Sequence, residues 1–96
     1  MGRMSLPPDF WHAFGRRLYV TRLALELGER EAAAACGVSV RSYRRWEAGR
    51  PASNSARPVV AFCSRFAVSP DWLLLGQRHL IGRHLRERSR GKVAIL

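Results

Sequence analysis

The stretch GEREAAAACGVSVRSYRRWEAG, residues 28–49, decides how the chain reads. Gly28 suits the N-cap of a short helix over 29–35, built of Glu, Arg and four consecutive alanines. Alanine is the best helix former, and its small side chain lets a neighbouring helix approach closely. Gly37 supplies the positive φ that a sharp turn needs, with Val38 placed to plug the angle between the helices. Ser39 caps a second helix over 39–47, which Gly49 and Pro51 end. On that helix Arg41 and Arg45 are four apart and share a face, while Tyr43 and Trp46 point the other way into a core.

Working outward, residues 7–27 carry a helical pattern that opens with Pro8 and Asp9, residues suited to a first turn. Phe14, Leu18, Arg22 and Leu25 share one face. Gly15 weakens the helix by up to about 1 kcal/mol, so its ordered part is expected to start near His12 or Phe14. Residues 50–57, RPASNSAR, read as a loop. Pro58 opens a fourth helix with Val59, Phe62 and Phe66 at core spacing, and Ser69 with Pro70 opens a short fifth, stopped by Gly76. Residues 77–92 turn strongly basic and are expected to form a frayed helix or partly disordered tail. The expected organisation is an N-terminal extension over 1–12, an all-α domain of five helices over 13–76, and a basic tail over 77–96.

With 96 residues the chain has room for one small core, and a separate ligand-sensing domain does not fit. The formal charge is +10, and sixteen of the seventeen basic residues are arginine. Guanidinium pairs bidentately with phosphate and with guanine edges, so this bias favours a nucleic-acid partner over a merely solubilising surface. Cys36 and Cys63 have no metal-ligand spacing and sit in apolar contexts, which points to buried, reduced thiols. His12, His79 and His84 likewise lack ligand spacing, so neither metal nor cofactor is expected. No catalytic triad, carboxylate pair or phosphate-cradling loop stands out, and an enzyme is not expected. There is no apolar signal region, Leu6 stands where a myristoylation signal would want Ser or Thr, and no apolar run approaches membrane length. A soluble, cytoplasmic protein is the expectation.

Residues 13–76 resemble the helix-turn-helix domain of the phage Cro and C1 repressor family, the XRE-like regulators. The matching pieces are Arg22, Leu27, the pair Ala32 and Ala33, GVS at 37–39, WEAG at 46–49 and VSPDWLLLG at 68–76. Each is weak alone, but their order and spacing over about two thirds of the chain are specific.

The resemblance implies a compact five-helix bundle of the lambda-repressor-like type, its third helix entering the DNA major groove. Carried over by position, the base-contacting residues are Val40, Arg41 and Arg45, with Ser42 beside them. Arg41 and Arg45 would read guanine, each worth about 1 to 3 kcal/mol of discrimination, and Val40 would touch a thymine methyl. The simpler alternative is an arginine coat on a solvated helix face. Backbone contacts fall to Glu29, Arg30, Ser39, Arg44, Arg50 and Arg57. The loop after the third helix is about two residues longer than in the compared repressors, which shifts the register of Arg50 and Arg57.

Glu29 departs from the family's usual Gln at a phosphate-facing position. A carboxylate there is repulsive unless Arg30 or a rotation of the helix compensates, although the helix N-terminal amides still favour a phosphate. Glu29 and Glu31 would alternatively form an acidic surface for polymerase. The equivalent of Glu47 pairs with that of Arg22 in the family, which assigns Glu47 a structural role.

The implied protein is a regulator, a repressor in the main reading, that binds an inverted-repeat operator in double-stranded DNA as a homodimer. Its two recognition helices would lie roughly 34 Å apart. The dimer face would form around Pro70, Leu74 and Leu75. Two rivals remain: an antitoxin that autoregulates its operon and holds a protein partner through 77–96 or through Phe10 and Trp11, and a non-specific nucleic-acid binder relying on the arginine tail.

Overall fold

Helix ends, more than helix interiors, shape this fold. A computed structural model describes residues 8–51 and 56–78. These form α1 (Pro8–Ala24), α2 (Glu29–Cys36), α3 (Val40–Glu47), α4 (Arg57–Phe66) and α5 (Pro70–Leu75), with no strand among the described residues. After each helix one residue takes the left-handed conformation: Glu26, Gly37, Gly49, Ala67 and Gly76, with φ between 55° and 78°. After the first four helices the next amide turns back to the carbonyl five residues earlier: Leu27 to Arg22, Val38 to Ala33, Arg50 to Arg45 and Val68 to Cys63, at 2.8–3.1 Å. These bonds satisfy carbonyls that a helix terminus would otherwise leave open.

α1 differs from the sequence expectation at both ends. It begins at Pro8 and runs through Gly15 without a break, so the expected boundary between residues 12 and 13 falls inside a continuous helix. Trp11 explains the early start. Its ring meets Phe14 and Trp46 edge-on at 5.6 and 5.7 Å, and such aromatic pairs add about 0.5 to 1.5 kcal/mol beyond burial. Gly15 itself sits where α1 crosses the end of α3: a Cβ there would lie 2.5 Å from the Glu47 carbonyl oxygen and 2.6 Å from that of Trp46. Its missing side chain permits the crossing. At the other end α1 stops at Ala24, not at Leu27, because Glu26 turns left-handed.

The expected core face is realised in Phe14 and Leu18 of α1 and in Leu25 just past its end, all buried, with Arg22 half-buried. They meet Tyr43 and Trp46 of α3, Val59 and Phe62 of α4, and Trp72 and Leu73 of α5 in one cluster. Phe66, expected in the same stripe of α4, is only partly buried, and Cys63 takes the interior place. α2 packs chiefly on α4 and α3, while α1 packs on α3 and α5. Thr21 is the buried polar residue of α1: it donates to the Arg17 carbonyl at 2.7 Å and accepts from Trp72 Nε1 at 2.9 Å. Arg17 donates through Nε and Nη2 to the carbonyls of Leu73 and Leu74, at 2.8 and 2.9 Å, fastening α5 to α1. Burial lowers the pKa of Arg17 from its ordinary value.

Both cysteines are buried and unpaired. Burial, and for Cys36 also the nearby Cys63 thiol, pushes their pKa values up to about 12 for Cys36 and about 11 for Cys63. Among the described residues no helix is long and apolar enough to cross a membrane. Of the tail expected over 77–96, all but Gln77 and Arg78 falls outside the described residues, His79 and His84 included, as does the middle of the expected loop, 52–55.

Candidate nucleic-acid interface

α3 is fixed from both ends and from within. At its start the Ser39 Oγ accepts the Ser42 amide at 3.1 Å and donates to the Ser42 hydroxyl at 3.2 Å, an N-cap that satisfies an open helix donor. Gly37, at φ 73°, makes the bend between α2 and α3 and sends its amide back to α2. On the inner side Tyr43 and Trp46 are buried.

Glu47 closes the frame. Arg22 donates to it through Nε at 2.7 Å and Nη2 at 3.3 Å, and also donates through Nη1 to the Leu27 carbonyl at 3.1 Å. The Tyr43 hydroxyl donates to the same carboxylate. Both partners of the ion pair are 11% exposed, so each charge depends on the other for solvation. The hydrogen bond to Glu47 raises the pKa of Arg22, and burial followed by Glu47 raises that of Tyr43 well above the usual range. Trp46 also meets Phe14 at 5.6 Å.

With the inner face locked, the remaining face of α3 is determined. Arg41, Arg44 and Arg45 are exposed, and with Ala48 and Arg50 they line an open hollow of about 620 Å3. No acidic residue lines it. The Arg45 Nε donates to the Arg50 carbonyl at 3.1 Å, which holds that side chain toward the end of the helix. Such a surface suits a polyanion: guanidinium groups carried on an anchored helix and presented to solvent.

A second hollow adjoins it, lined by Gly28, Glu29, Arg30, Glu31, Val40 and Arg44. Glu31 accepts from the Gly28 amide at 3.1 Å and so completes the N-terminal cap of α2. Glu29 accepts from Arg44: its Oε1 lies 3.0 Å from both Nε and Nη2. The partner of Glu29 is therefore on α3, where sequence reasoning had looked to Arg30. The two residues stand fifteen apart on different helices, beyond any helical spacing rule. A count of acids near the arginine face was the available signal.

The other expected positions divide. Arg41, Arg44, Arg45 and Arg50 gather in one hollow, and Glu29, Arg30 and Val40 in the other, with Arg44 shared. Val40 is partly buried against the core, which limits what it presents to a base. Ser42 is half-buried and its hydroxyl is engaged by Ser39. Arg57 is exposed at the first residue of α4 and lines neither hollow. At α5, Pro70 is exposed, Leu75 is 64% exposed, and Leu74 packs partly against the core. Arg17, Thr21 and Trp72, which place α5, were not singled out from the sequence. No cluster of three metal-ligating side chains occurs among the described residues.

Compared with known proteins, the chain matches no family model, no curated protein and no solved structure.

Proposed function

We propose that this chain is a sequence-specific DNA-binding transcriptional regulator of the Cro and C1 helix-turn-helix type, with α3 in the major groove. The observation that carries the reading is the two-sidedness of α3. Tyr43, Trp46 and Glu47 anchor one side, and Arg41, Arg44 and Arg45 line an acid-free hollow on the other. In this reading Arg41 and Arg45 read guanine edges in the major groove, while Arg44, Arg50 and Arg30 meet phosphates. Ser39 serves the interface as the cap that presents the first amides of α3.

The protein acts as a homodimer on an inverted repeat, and it represses by covering a promoter. Leu75 favours a dimer face at α5, since it is the most exposed of the large apolar side chains described and Arg17 holds its helix in place. Selection of bound sequences from a random duplex pool with purified protein tests the reading. A palindromic motif containing G·C pairs is expected. An unenriched pool contradicts it, and points instead to binding without sequence preference.

A further inference from the structure

One residue of the arginine surface is held by a carboxylate. Arg44 borders both hollows, and Glu29 is the acid that touches it. The contact uses the Nε and Nη2 side of the guanidinium, one of the two fork edges that can grip a phosphate bidentately, and it engages Nη2, which both edges share. A phosphate can take that edge only when Glu29 leaves it. The pair is open to solvent, with side-chain exposures of 64% for Arg44 and 34% for Glu29, and exposed pairs are weak enough for a polyanion to displace. Glu31, which lines the same second hollow, makes its contact elsewhere, accepting from the Gly28 amide at 3.1 Å.

We propose that Glu29 is a specificity-determining counter-charge, which occupies Arg44 and so restrains sequence-independent binding to DNA phosphates. The proposal rests on the DNA-binding reading above. Binding without sequence preference depends on phosphate contacts, and each contact normally releases a salt ion from the duplex. At Arg44 the phosphate displaces a carboxylate of the protein, so little of this gain remains. Site-specific binding also draws on Arg41 and Arg45 at base edges, and it loses a smaller share. Glu29 thereby widens the gap between the operator and the rest of the genome.

The test compares the parent, Glu29→Gln, Arg44→Gln and the double variant, using the full chain. Binding to a short mixed-sequence duplex and to the selected motif is measured from about 50 to about 200 mM salt, with thermal melting as the folding control. Glu29→Gln is expected to bind the mixed duplex about threefold more tightly at the low-salt end. Its salt dependence should steepen by about 0.9 in the log–log slope. The motif should gain less. Arg44→Gln in the parent should alter the slope by well under one unit, and in its background the Glu29→Gln gain should vanish.

A folded Glu29→Gln protein that binds no better than the parent overturns the role of Glu29, as does a gain that persists without Arg44. Weaker binding by Glu29→Gln also overturns it, since that outcome makes Glu29 a positioning residue for Arg44. Should Glu29→Gln not fold, Arg44→Gln decides alone, and a slope reduced by a full unit overturns the role. A parent that binds no duplex even at low salt overturns the DNA-binding reading as well.

Discussion

The inner and outer faces of α3 come from the same eight residues, yet their polar groups are handled in opposite ways. On the inner face the charged and hydroxyl groups are paired within the protein: the Tyr43 hydroxyl and the Arg22 guanidinium converge on Glu47, and Arg22 also reaches the Leu27 carbonyl. On the outer face Arg41, Arg44 and Arg45 stand in solvent, with Arg45 held at one edge by the Arg50 carbonyl and Arg44 by Glu29. Saturated groups hold a scaffold, and partly engaged cations remain available to a polyanion. Substitutions on the inner face should therefore cost stability, and those on the outer face should cost binding.

The largest effect is expected at Glu47. Glu47→Ala leaves the Arg22 charge and the Tyr43 hydroxyl without their acceptor, a loss on the order of 3 kcal/mol of folding stability. DNA binding should disappear with the fold. A variant that melts like the parent and yet fails to bind would place Glu47 in the interface and break the division between the faces.

Arg41→Ala is the complementary case. Its melting temperature should stay within a few degrees of the parent, since surface changes usually fall within about 0.5 kcal/mol. Affinity for the selected motif should fall by about 2 kcal/mol, concentrated at one base position. An equal loss on every sequence would make Arg41 a phosphate contact.

Alkali should act through the inner side. Cys36 lines the same small internal void as Tyr43 and Trp46, and the folded thiols titrate at about 12 and about 11 against an ordinary value of 9.0. The unfolded chain thus releases these protons first. The neutral thiols contribute their full stability below about pH 9, and that stability is lost as pH rises from 9.0 toward about 12. Denaturant unfolding across this window should show a falling midpoint, with a shallower fall in Cys36→Ala. At neutral pH the same thiols should resist alkylation until the chain unfolds.

The smallest effect concerns a helix end far from either face. Ala67 holds a left-handed conformation at φ 55°, which disfavours any residue with a Cβ. Ala67→Gly should stabilise the protein by about 0.5 kcal/mol, the relief of strain being partly offset by the greater entropy of unfolded glycine. Unchanged affinity for DNA is the companion expectation.

These left-handed ends also explain how far the sequence could be read. Where glycine supplies the turn, at Gly37, Gly49 and Gly76, the expected helix end and the observed one agree within a residue or two. Where Glu26 and Ala67 supply it, no residue type announces the stop, and the end of α1 was placed three residues late at Leu27. The early start of α1 was hidden for another reason. The local cost of Gly15 is visible in sequence, whereas the contact of Trp11 with Trp46 is tertiary. In the candidate site, spacing alone placed Arg41 and Arg45 opposite Tyr43 and Trp46, because one helix carries all four. Pairings between helices were legible only through the family resemblance, as for Arg22 with Glu47, or not at all, as for Glu29 with Arg44 and Arg17 with the end of α5.

The most direct measurement is an NMR titration of the labelled protein with the selected duplex, following backbone amides and arginine Nε–H signals. The expected result is a set of large shifts confined to residues 28–30 and 39–50, strongest at the Nε–H of Arg41, Arg44 and Arg45. The indole signals of Trp46 and Trp72 should stay in place, because their rings remain buried. Shifts centred on α4 and α5, with the α3 arginines unmoved, would contradict the assignment of α3 as the helix that reads DNA.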